Sequence, residues 1–228
     1  MTDTVLYIVF PYVAVILAIV GGIYRYLNDR YSYSSFSSQF LENRALFWGS
    51  VPWHYGIVLI LLAHLLAALF PGLWGALLSD PIRLYVLEVT GWALGFLTIL
   101  GLGLLIARRM SNPRLLAITS LMDWIVLVAL LLQVIMGVWI AISYRWGGLW
   151  YLYTAVPWLV SLAKLSPQIE TIAPLPGLVK SHILMGFVII ALFPFTRLVH
   201  IVSFPLSYLW RPYQLVIWNR RERRSAKA

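Results

Sequence analysis

The chain has 228 residues, of which 61% are hydrophobic and 11% are charged, and its mean hydropathy is +0.85. This composition excludes an ordinary soluble domain and is typical of a polytopic membrane protein. The formal net charge of +9 is concentrated at the ends of apolar stretches and in the C-terminal tail, which indicates membrane orientation and not nucleic-acid binding. The lack of cysteine excludes disulfides, thiolate iron-sulfur clusters, cysteine nucleophiles and covalently attached c-type haem.

Five apolar stretches are long enough to cross a bilayer, and they predict an all-α integral membrane protein, a bundle of five transmembrane helices. The chain begins without a basic n-region, so the first stretch is expected to be an uncleaved helix and not a signal peptide. Residues 1–210 are predicted to form one membrane domain, and residues 211–228 a basic cytoplasmic tail. The predicted spans are about 4–26, 51–70, 83–107, 120–144 and 178–204.

The segments between the spans carry boundary signals. Residues 27–50 are polar and rich in Ser and Tyr, which suits an interfacial helix and a loop. Pro71 closes the second span, and the sequence SDP at 79–81 predicts the N-terminus of the third. The connector at 145–177 mixes Trp, Tyr, Gly and Pro, which predicts interfacial re-entrant or short helical structure and not a sixth span.

Basic residues are divided unequally between the two ends of the spans. Five spans place the two termini on opposite sides of the membrane, and 13 of the 17 Lys and Arg residues fall on one side. The positive-inside rule then predicts the N-terminus outside and the C-terminus in the cytoplasm. The second and fifth helices are therefore expected to run antiparallel.

All four histidines lie in just two predicted spans. His54 and His64 belong to the second span, and His182 and His200 belong to the last. An ionisable ring is costly at membrane depth, so each histidine marks a functional-site hypothesis. Because the two helices are antiparallel, His54 and His200 are expected near the cytoplasmic side, and His64 and His182 nearer the outer face.

Two histidine pairs at different depths are what two b-type haems require, since neutral imidazoles from facing helices can bind each iron axially. The interval from His54 to His64 rises ~15 Å in a helix. The interval from His182 to His200 rises ~27 Å in a straight helix, although Pro194 is expected to bend it. The spacing predicts histidine pairs at two depths in the membrane, but it does not fix the planes of the imidazole rings.

Residues near the histidines are candidates for contact with the same groups. Gly56 and Gly186 each lie within about one turn of a proposed ligand and leave room for a porphyrin face. Glycine at such positions also serves helix-helix contact. Arg197 lies about one turn before His200, where its guanidinium suits either a haem propionate or lipid headgroups.

Two acidic residues also lie within predicted spans. Asp123, near the start of the fourth span, is expected to be a helix cap or a member of an ion pair. Glu88, close to the outer end of the third span, is a candidate for proton release.

Three interpretations of the histidines remain open on the residues alone. They bind two haems, they bind zinc, copper or iron directly, or they relay protons in a haem-free anchor or transporter. Neither cysteine nor a cluster of Asp and Glu accompanies them, and the two histidines of each helix are too far apart to share one ion. These features favour haem over a bare metal.

Several motifs resemble the gamma subunit of membrane-bound respiratory nitrate reductase, a dihaem cytochrome b that oxidises quinol. The most specific is FPFTRLVHIVSFPLSYLWRPYQLV at 193–216, and the interval of 18 residues between the last two histidines also fits the family. The other matching motifs are RY at 25–26, SSQ at 37–39, WHYGI around His54 and RRMSNPR ending at Arg114.

The resemblance implies that His54 and His200 hold a cytoplasmic-side haem, and that His64 and His182 hold an outer haem. Quinol would be oxidised near the outer haem, with protons released outside. Electrons would pass through both haems to an iron-sulfur subunit, and a molybdenum-containing subunit would reduce nitrate. The expected location is a bacterial or archaeal cytoplasmic membrane, in contact with lipid.

The quinol contacts are less well matched. The family places a lysine just after the Pro-Ile that opens its third helix, whereas this chain has Arg83, Leu84 and Tyr85 there. Arg83, Tyr85 and His64 are the quinol-site candidates, and Arg83 or Tyr85 can donate a hydrogen bond to a quinone oxygen. Arg83 also suits an interface anchor. A dihaem subunit of another respiratory oxidoreductase remains an alternative.

Overall fold

The computed structural model describes residues 2–33, 41 and 44–202. Within these ranges the chain forms helices joined by turns, without any strand. Five helices are long and apolar enough to cross a membrane, which confirms the predicted all-α membrane protein with five spans; the orientation of its termini stays a prediction. The spans are α1 (Thr2–Asn28), α2 (Arg44–Leu69), α4 (Pro81–Ser111), α6 (Leu121–Ser143) and the segment Gly177–Phe195, whose α-helical part is α9 (Gly177–Leu192).

Within the described ranges, four shorter α-helices connect the spans. A turn of π-helix at Tyr151–Ala155 joins two of them, so the connector has the short helical structure expected for it. The tail predicted at 211–228, the motif at 37–39 and the part of the predicted fifth span beyond residue 202 lie outside the described residues. The shorter helices are α3 (Pro71–Leu78), α5 (Pro113–Ala117), α7 (Gly147–Trp150) and α8 (Val156–Ala163).

Local sequence explains where α4 and α6 begin. Oδ1 of Asp80 accepts hydrogen bonds from the backbone N–H groups of Ile82 (3.0 Å) and Arg83 (2.9 Å), and a proline occupies the first turn. At α6, Oγ of Ser120 accepts from the N–H of Asp123 (3.1 Å), and Oδ2 of Asp123 accepts from the N–H of Ser120 (3.0 Å). This reciprocal capping box fixes the first turn of the helix.

The spans pack side by side in an order that differs from their order in the chain. Helix α2 packs along α4, α4 along α6, α6 along α9, and α9 along α1. Glycines bring α2 and α4 close together: a Cβ at Gly101 would lie 2.5 Å from the backbone nitrogen of Trp53. The two helices that carry histidines, α2 and α9, do not pack along each other within the described ranges, because α4 and α6 lie between them in this order.

The last span differs from the continuous helix predicted at 178–204. Helix α9 ends at Leu192, and two 3₁₀ turns follow at Phe193–Phe195 and Arg197–Ile201. Thr196 between the turns is extended, with φ −121° and ψ 179°. Pro194 has no N–H for the helix ladder, so the chain breaks here where only a bend was expected. His200 therefore does not share a helical face with His182, and the rise calculated for a straight helix does not apply.

Arg25 of α1 stabilises this break. A broken helix at membrane depth leaves backbone carbonyls that need another hydrogen-bond donor. Nη1 of Arg25 donates to the carbonyl oxygens of Pro194 (2.8 Å) and Thr196 (2.9 Å). A Cβ at Gly21 would lie 3.0 Å from the Pro194 ring, so α1 lies directly against the break. The segment that carries His200 is thereby fixed to α1.

Candidate functional site

The structure brings His54 of α2 and His200 into ring contact. Their ring centroids are 6.1 Å apart, and the ring planes are inclined at 71°. A metal bonded at ~2.0 Å to two opposed imidazole nitrogens holds the ring centroids about 6 Å apart. The separation of this pair therefore fits the two axial ligands of one haem iron.

Three of the four imidazoles are fixed by the backbone through Nδ1. An Nδ1–H that donates to a carbonyl sets the tautomer and orientation of the ring, and it leaves the Nε2 lone pair for a ligand. The distances are 2.7 Å from His54 Nδ1 to the Ser50 carbonyl oxygen, 2.8 Å from His64 Nδ1 to the Ile60 carbonyl oxygen, and 2.5 Å from His200 Nδ1 to the Arg197 carbonyl oxygen. These three rings are therefore oriented by the backbone with Nε2 directed away from that hydrogen bond.

The fourth imidazole, His182, has a different environment. Its Nε2 lies 3.3 Å from Nε2 of Gln133 on α6, and its Nδ1 is buried without a hydrogen-bond partner among the described residues. A Cβ at Gly137 would lie 3.1 Å from Cε1 of this ring, so that glycine makes space for it. Sequence analysis singled out neither Gln133 nor Gly137, although a lone amide in an apolar span is a detectable signal.

His64 is held against the connector. Its ring centroid lies 4.9 Å from that of Tyr151, and the Tyr151 hydroxyl donates to the His64 carbonyl oxygen at 3.1 Å. Burial raises the pKa of the Tyr151 phenol, which keeps it a neutral donor. The N–H of Gly148 donates to Oε1 of Glu88 at 3.2 Å, so the connector contacts both α2 and α4.

Arg197 and Asp123 form a bidentate ion pair. Nε and Nη2 of Arg197 lie 2.6 Å and 2.9 Å from the two carboxylate oxygens of Asp123, and Asp123 is only 4% exposed. Nη1 of Arg109 is 3.9 Å from the same carboxylate. Asp123 therefore serves both as the helix cap and as the ion-pair partner expected of it.

The quinol candidates on α4 lie near its first turns. Nε of Arg83 is 3.8 Å from Oδ1 of Asp80, and both side chains are exposed. Tyr85 is exposed and lines a small cavity, whereas the ring of His64 contacts Tyr151. The cavity is lined by Tyr85, Glu88, Val89, Trp92, Arg145 and Trp146.

The two glycine candidates differ in what they face. A Cβ at Gly56 would meet the Thr98 hydroxyl and would lie 3.0 Å from the carbonyl oxygen of Leu94, so Gly56 serves the contact between α2 and α4. A Cβ at Gly186 would lie 3.7 Å from Nε2 of Gln133. Gly186 thus faces the side chain that also contacts His182.

The number of available ligands separates haem from a bare metal ion. No group of three or more His, Cys, Asp or Glu side chains that could hold an ion occurs within 2–33 and 44–202. A protein site for zinc uses three or four such ligands, whereas haem brings its own equatorial nitrogens and needs only axial ligands.

The fold defines a multi-pass membrane protein with histidine side chains on two of its spans and on the turn that follows the last span. Residues 3–219 match the family model described as the nitrate reductase gamma subunit. The chain belongs to this family, and it is a subunit of an oxidoreductase complex in a bacterial membrane.

Three relatives illustrate the similarity. The nitrate reductase gamma chain of Bacillus subtilis (strain 168) is 31% identical, over 97% of this chain and 100% of the relative. The respiratory nitrate reductase 2 gamma chain of Escherichia coli (strain K12) is 30% identical, over 92% of this chain and 94% of its own length. The nitrate reductase-like protein NarX of Mycobacterium tuberculosis (strain CDC 1551 / Oshkosh) is 33% identical, over 94% of this chain and 33% of its own length.

Proposed function

We propose that the chain is the dihaem cytochrome b subunit of a respiratory nitrate reductase, which oxidises quinol and passes electrons to a cytoplasmic iron-sulfur subunit. A molybdenum-containing subunit of the same complex reduces nitrate. One observation carries the proposal. The ring centroids of His54 and His200 are 6.1 Å apart, a separation that suits two ligands of one haem iron, and each ring has Nδ1 held by a backbone carbonyl.

The histidines divide between two sites in this proposal. His54 and His200 hold the haem on the cytoplasmic side, and His64 and His182 hold the haem nearer the outer face. Haem supplies reversible one-electron storage at each site. The protein residues supply imidazole nitrogens, and backbone carbonyls fix the orientation of three of the four rings. Two sites at different depths give electrons a path across the bilayer.

Quinol oxidation is assigned to the outer end of α4. Arg83 and Tyr85 are the residues proposed to bind the quinol oxygens. His64, whose Nδ1 donates to the Ile60 carbonyl and whose Nε2 would bind the haem iron, is proposed to border this site. Glu88 is proposed to receive a proton on its way to the outside. Because protons leave outward while electrons move inward, charge is separated without a proton channel. The membrane domain at 1–210 performs this reaction. The basic tail at 211–228 docks on the iron-sulfur subunit or on anionic lipid.

A haem-free proton relay is the competing function. One observation favours it: Nδ1 of His182 and Oε1 of Gln133 are both buried without hydrogen-bond partners among the described residues. A dihaem subunit of a different respiratory oxidoreductase would share the haem chemistry. Co-purification with molybdenum and iron-sulfur subunits separates that alternative from the proposed nitrate reductase.

The first test is a reduced-minus-oxidised spectrum of the purified complex, with haem extracted and counted per polypeptide. We expect two b haems, both reducible by a menaquinol analogue. His54→Ala is expected to remove one of the two haems, because its site loses an axial ligand. Ile16→Ala, which alters an exposed side chain of α1, is the control and should retain both. A protein without haem, or an unchanged spectrum in His54→Ala, would overturn the proposal.

A further inference from the structure

Three hydrogen bonds, two to the side chain of Arg197 and one to its backbone carbonyl, connect the first turn of α6 to the ring of His200. The carboxylate of Asp123 binds Nε and Nη2 of Arg197 at 2.6 Å and 2.9 Å. The backbone carbonyl of Arg197 accepts the hydrogen bond from Nδ1 of His200 at 2.5 Å. The same arginine thus contacts the carboxylate through its side chain and the imidazole through its backbone.

The ion pair between Asp123 and Arg197 is well placed to hold a fixed geometry. Asp123 is 4% exposed, and its backbone and side chain also form the capping box with Ser120. A bidentate arginine-carboxylate pair fixes orientation as well as distance. Charge pairs shielded from water are screened less by salt than exposed pairs. The carboxylate is therefore a rigid anchor at the end of a long helix.

The segment that carries His200 needs such an anchor. It is a five-residue 3₁₀ turn, Arg197–Ile201, that follows the break after α9, and 3₁₀ turns have poorer hydrogen-bond geometry than α-helices. Arg25 holds the carbonyl groups of Pro194 and Thr196, which precede the turn. Asp123 holds the side chain of the first residue within the turn.

We propose that Asp123 is a positioning residue for the imidazole of His200, acting through Arg197. The inference rests on the proposed function, in which His200 is an axial haem ligand. Groups that orient a metal-binding imidazole also tune the metal. Replacing the carboxylate would remove a negative charge that is linked to His200 through Arg197, and it would loosen the hydrogen bond that makes the imidazole a stronger donor to a bound iron. Both changes favour the reduced haem, so both raise its reduction potential.

The test uses Asp123→Asn in the intact complex. The amide retains the size of the side chain and an oxygen for the backbone N–H of Ser120, but it removes the charge that binds Arg197. We expect the reduction potential of the His54–His200 haem to shift upward and its low-spin ferric EPR signal to change. The other haem should keep both properties. The rate at which this haem transfers to an apo-globin should rise about tenfold.

Two further variants separate positioning from helix capping and from misfolding. Ser120→Ala removes the serine half of the capping box and leaves the ion pair, so it should leave the potential and EPR signal of both haems unchanged. Arg197→Lys keeps a cation but loses the bidentate contact, and it should shift the same haem by less than Asp123→Asn. If Asp123→Asn does not accumulate, an upward shift of this haem alone in Arg197→Lys supports the positioning role, and an unchanged potential overturns it.

The outcomes distinguish this inference from the proposed function. If the wild-type complex contains no haem, the proposed function fails. If the wild type contains two haems, an unchanged His54–His200 haem in Asp123→Asn overturns the positioning role alone. Equal shifts in Asp123→Asn and Ser120→Ala would also overturn it, because they would assign the effect to the capping box. The haem is identified as the one missing from His54→Ala.

Discussion

The two proposed histidine pairs differ in how completely the protein chain positions their rings. His54 and His200 are in ring contact, and a backbone carbonyl holds Nδ1 of each. In the other pair, His64 has such a carbonyl and packs against Tyr151, whereas His182 lies against Gln133 with Nδ1 buried and unpartnered among the described residues. Backbone carbonyls hold both rings of the first pair, whereas in the second pair they hold only His64, and the position of His182 depends on neighbouring side chains.

The difference follows from the elements that carry the rings. His200 lies on a short turn that Arg25 and Asp123 hold from two sides. His182 lies on α9, an intact helix packed between α6 and α1. The position of its ring therefore depends on the space that the side chains of α6 leave for it. Substitutions that alter space should therefore affect the His64–His182 pair most, and substitutions that alter backbone position should affect the His54–His200 pair.

Of the substitutions that test this difference, Gly137→Leu is expected to have the largest effect, and it should act on the proposed His64–His182 site. A Cβ at residue 137 would lie 3.1 Å from Cε1 of His182, and the rest of a leucine side chain would occupy the space of the ring. We expect the loss of one of the two haems, measured as haem per polypeptide, with the His54–His200 signal retained. Gly103→Leu is the control, because nothing lies within 4 Å of a Cβ there. Two intact haems in Gly137→Leu would contradict the assigned role of this glycine.

Gly101→Val should disturb the other pair. The added Cβ would lie 2.5 Å from the backbone nitrogen of Trp53, the residue before His54, and backbone cannot move aside as a side chain can. We expect a loss of stability of about 1–3 kcal/mol and a changed EPR signal of the His54–His200 haem. Thermal unfolding and EPR measure the two effects. Gly91→Val, at a position with open space, should change neither. A larger change in the other haem would contradict the comparison.

Tyr151→Phe should have the smallest effect. It removes the hydrogen bond to the His64 carbonyl oxygen but retains the ring contact, so we expect about 1 kcal/mol of destabilisation and an intact haem count. Because burial raises the pKa of Tyr151, this contribution should be constant below pH ~10. It should be lost as pH rises through the raised pKa. The free energies of unfolding of the wild type and of Tyr151→Phe, measured at several pH values, give this contribution. If the two free energies are equal below pH ~9, the phenol does not have the proposed role.

Much of the fold is determined by the sequence alone. Runs of apolar residues specify the five spans, because only a helix satisfies its backbone hydrogen bonds in lipid. The N-terminus of α4 follows from Asp80 and Pro81, since the cap and the missing N–H act within one turn. The restriction of four histidines to two spans is likewise visible in the sequence, as is the cap or ion pair assigned to Asp123.

Tertiary structure decided the features that join residues far apart in the chain. At the break after Leu192, Arg25 binds the carbonyl oxygens of Pro194 and Thr196. The local sequence does not predict this donor, because Arg25 lies on the first helix. Gly56 was a candidate for haem contact by its distance from a histidine, yet it faces Leu94 and Thr98 on α4. Gly137 gained its role only because α6 packs against α9. Local signals set helix ends and span lengths, whereas the packing order of the helices decides which side chains meet.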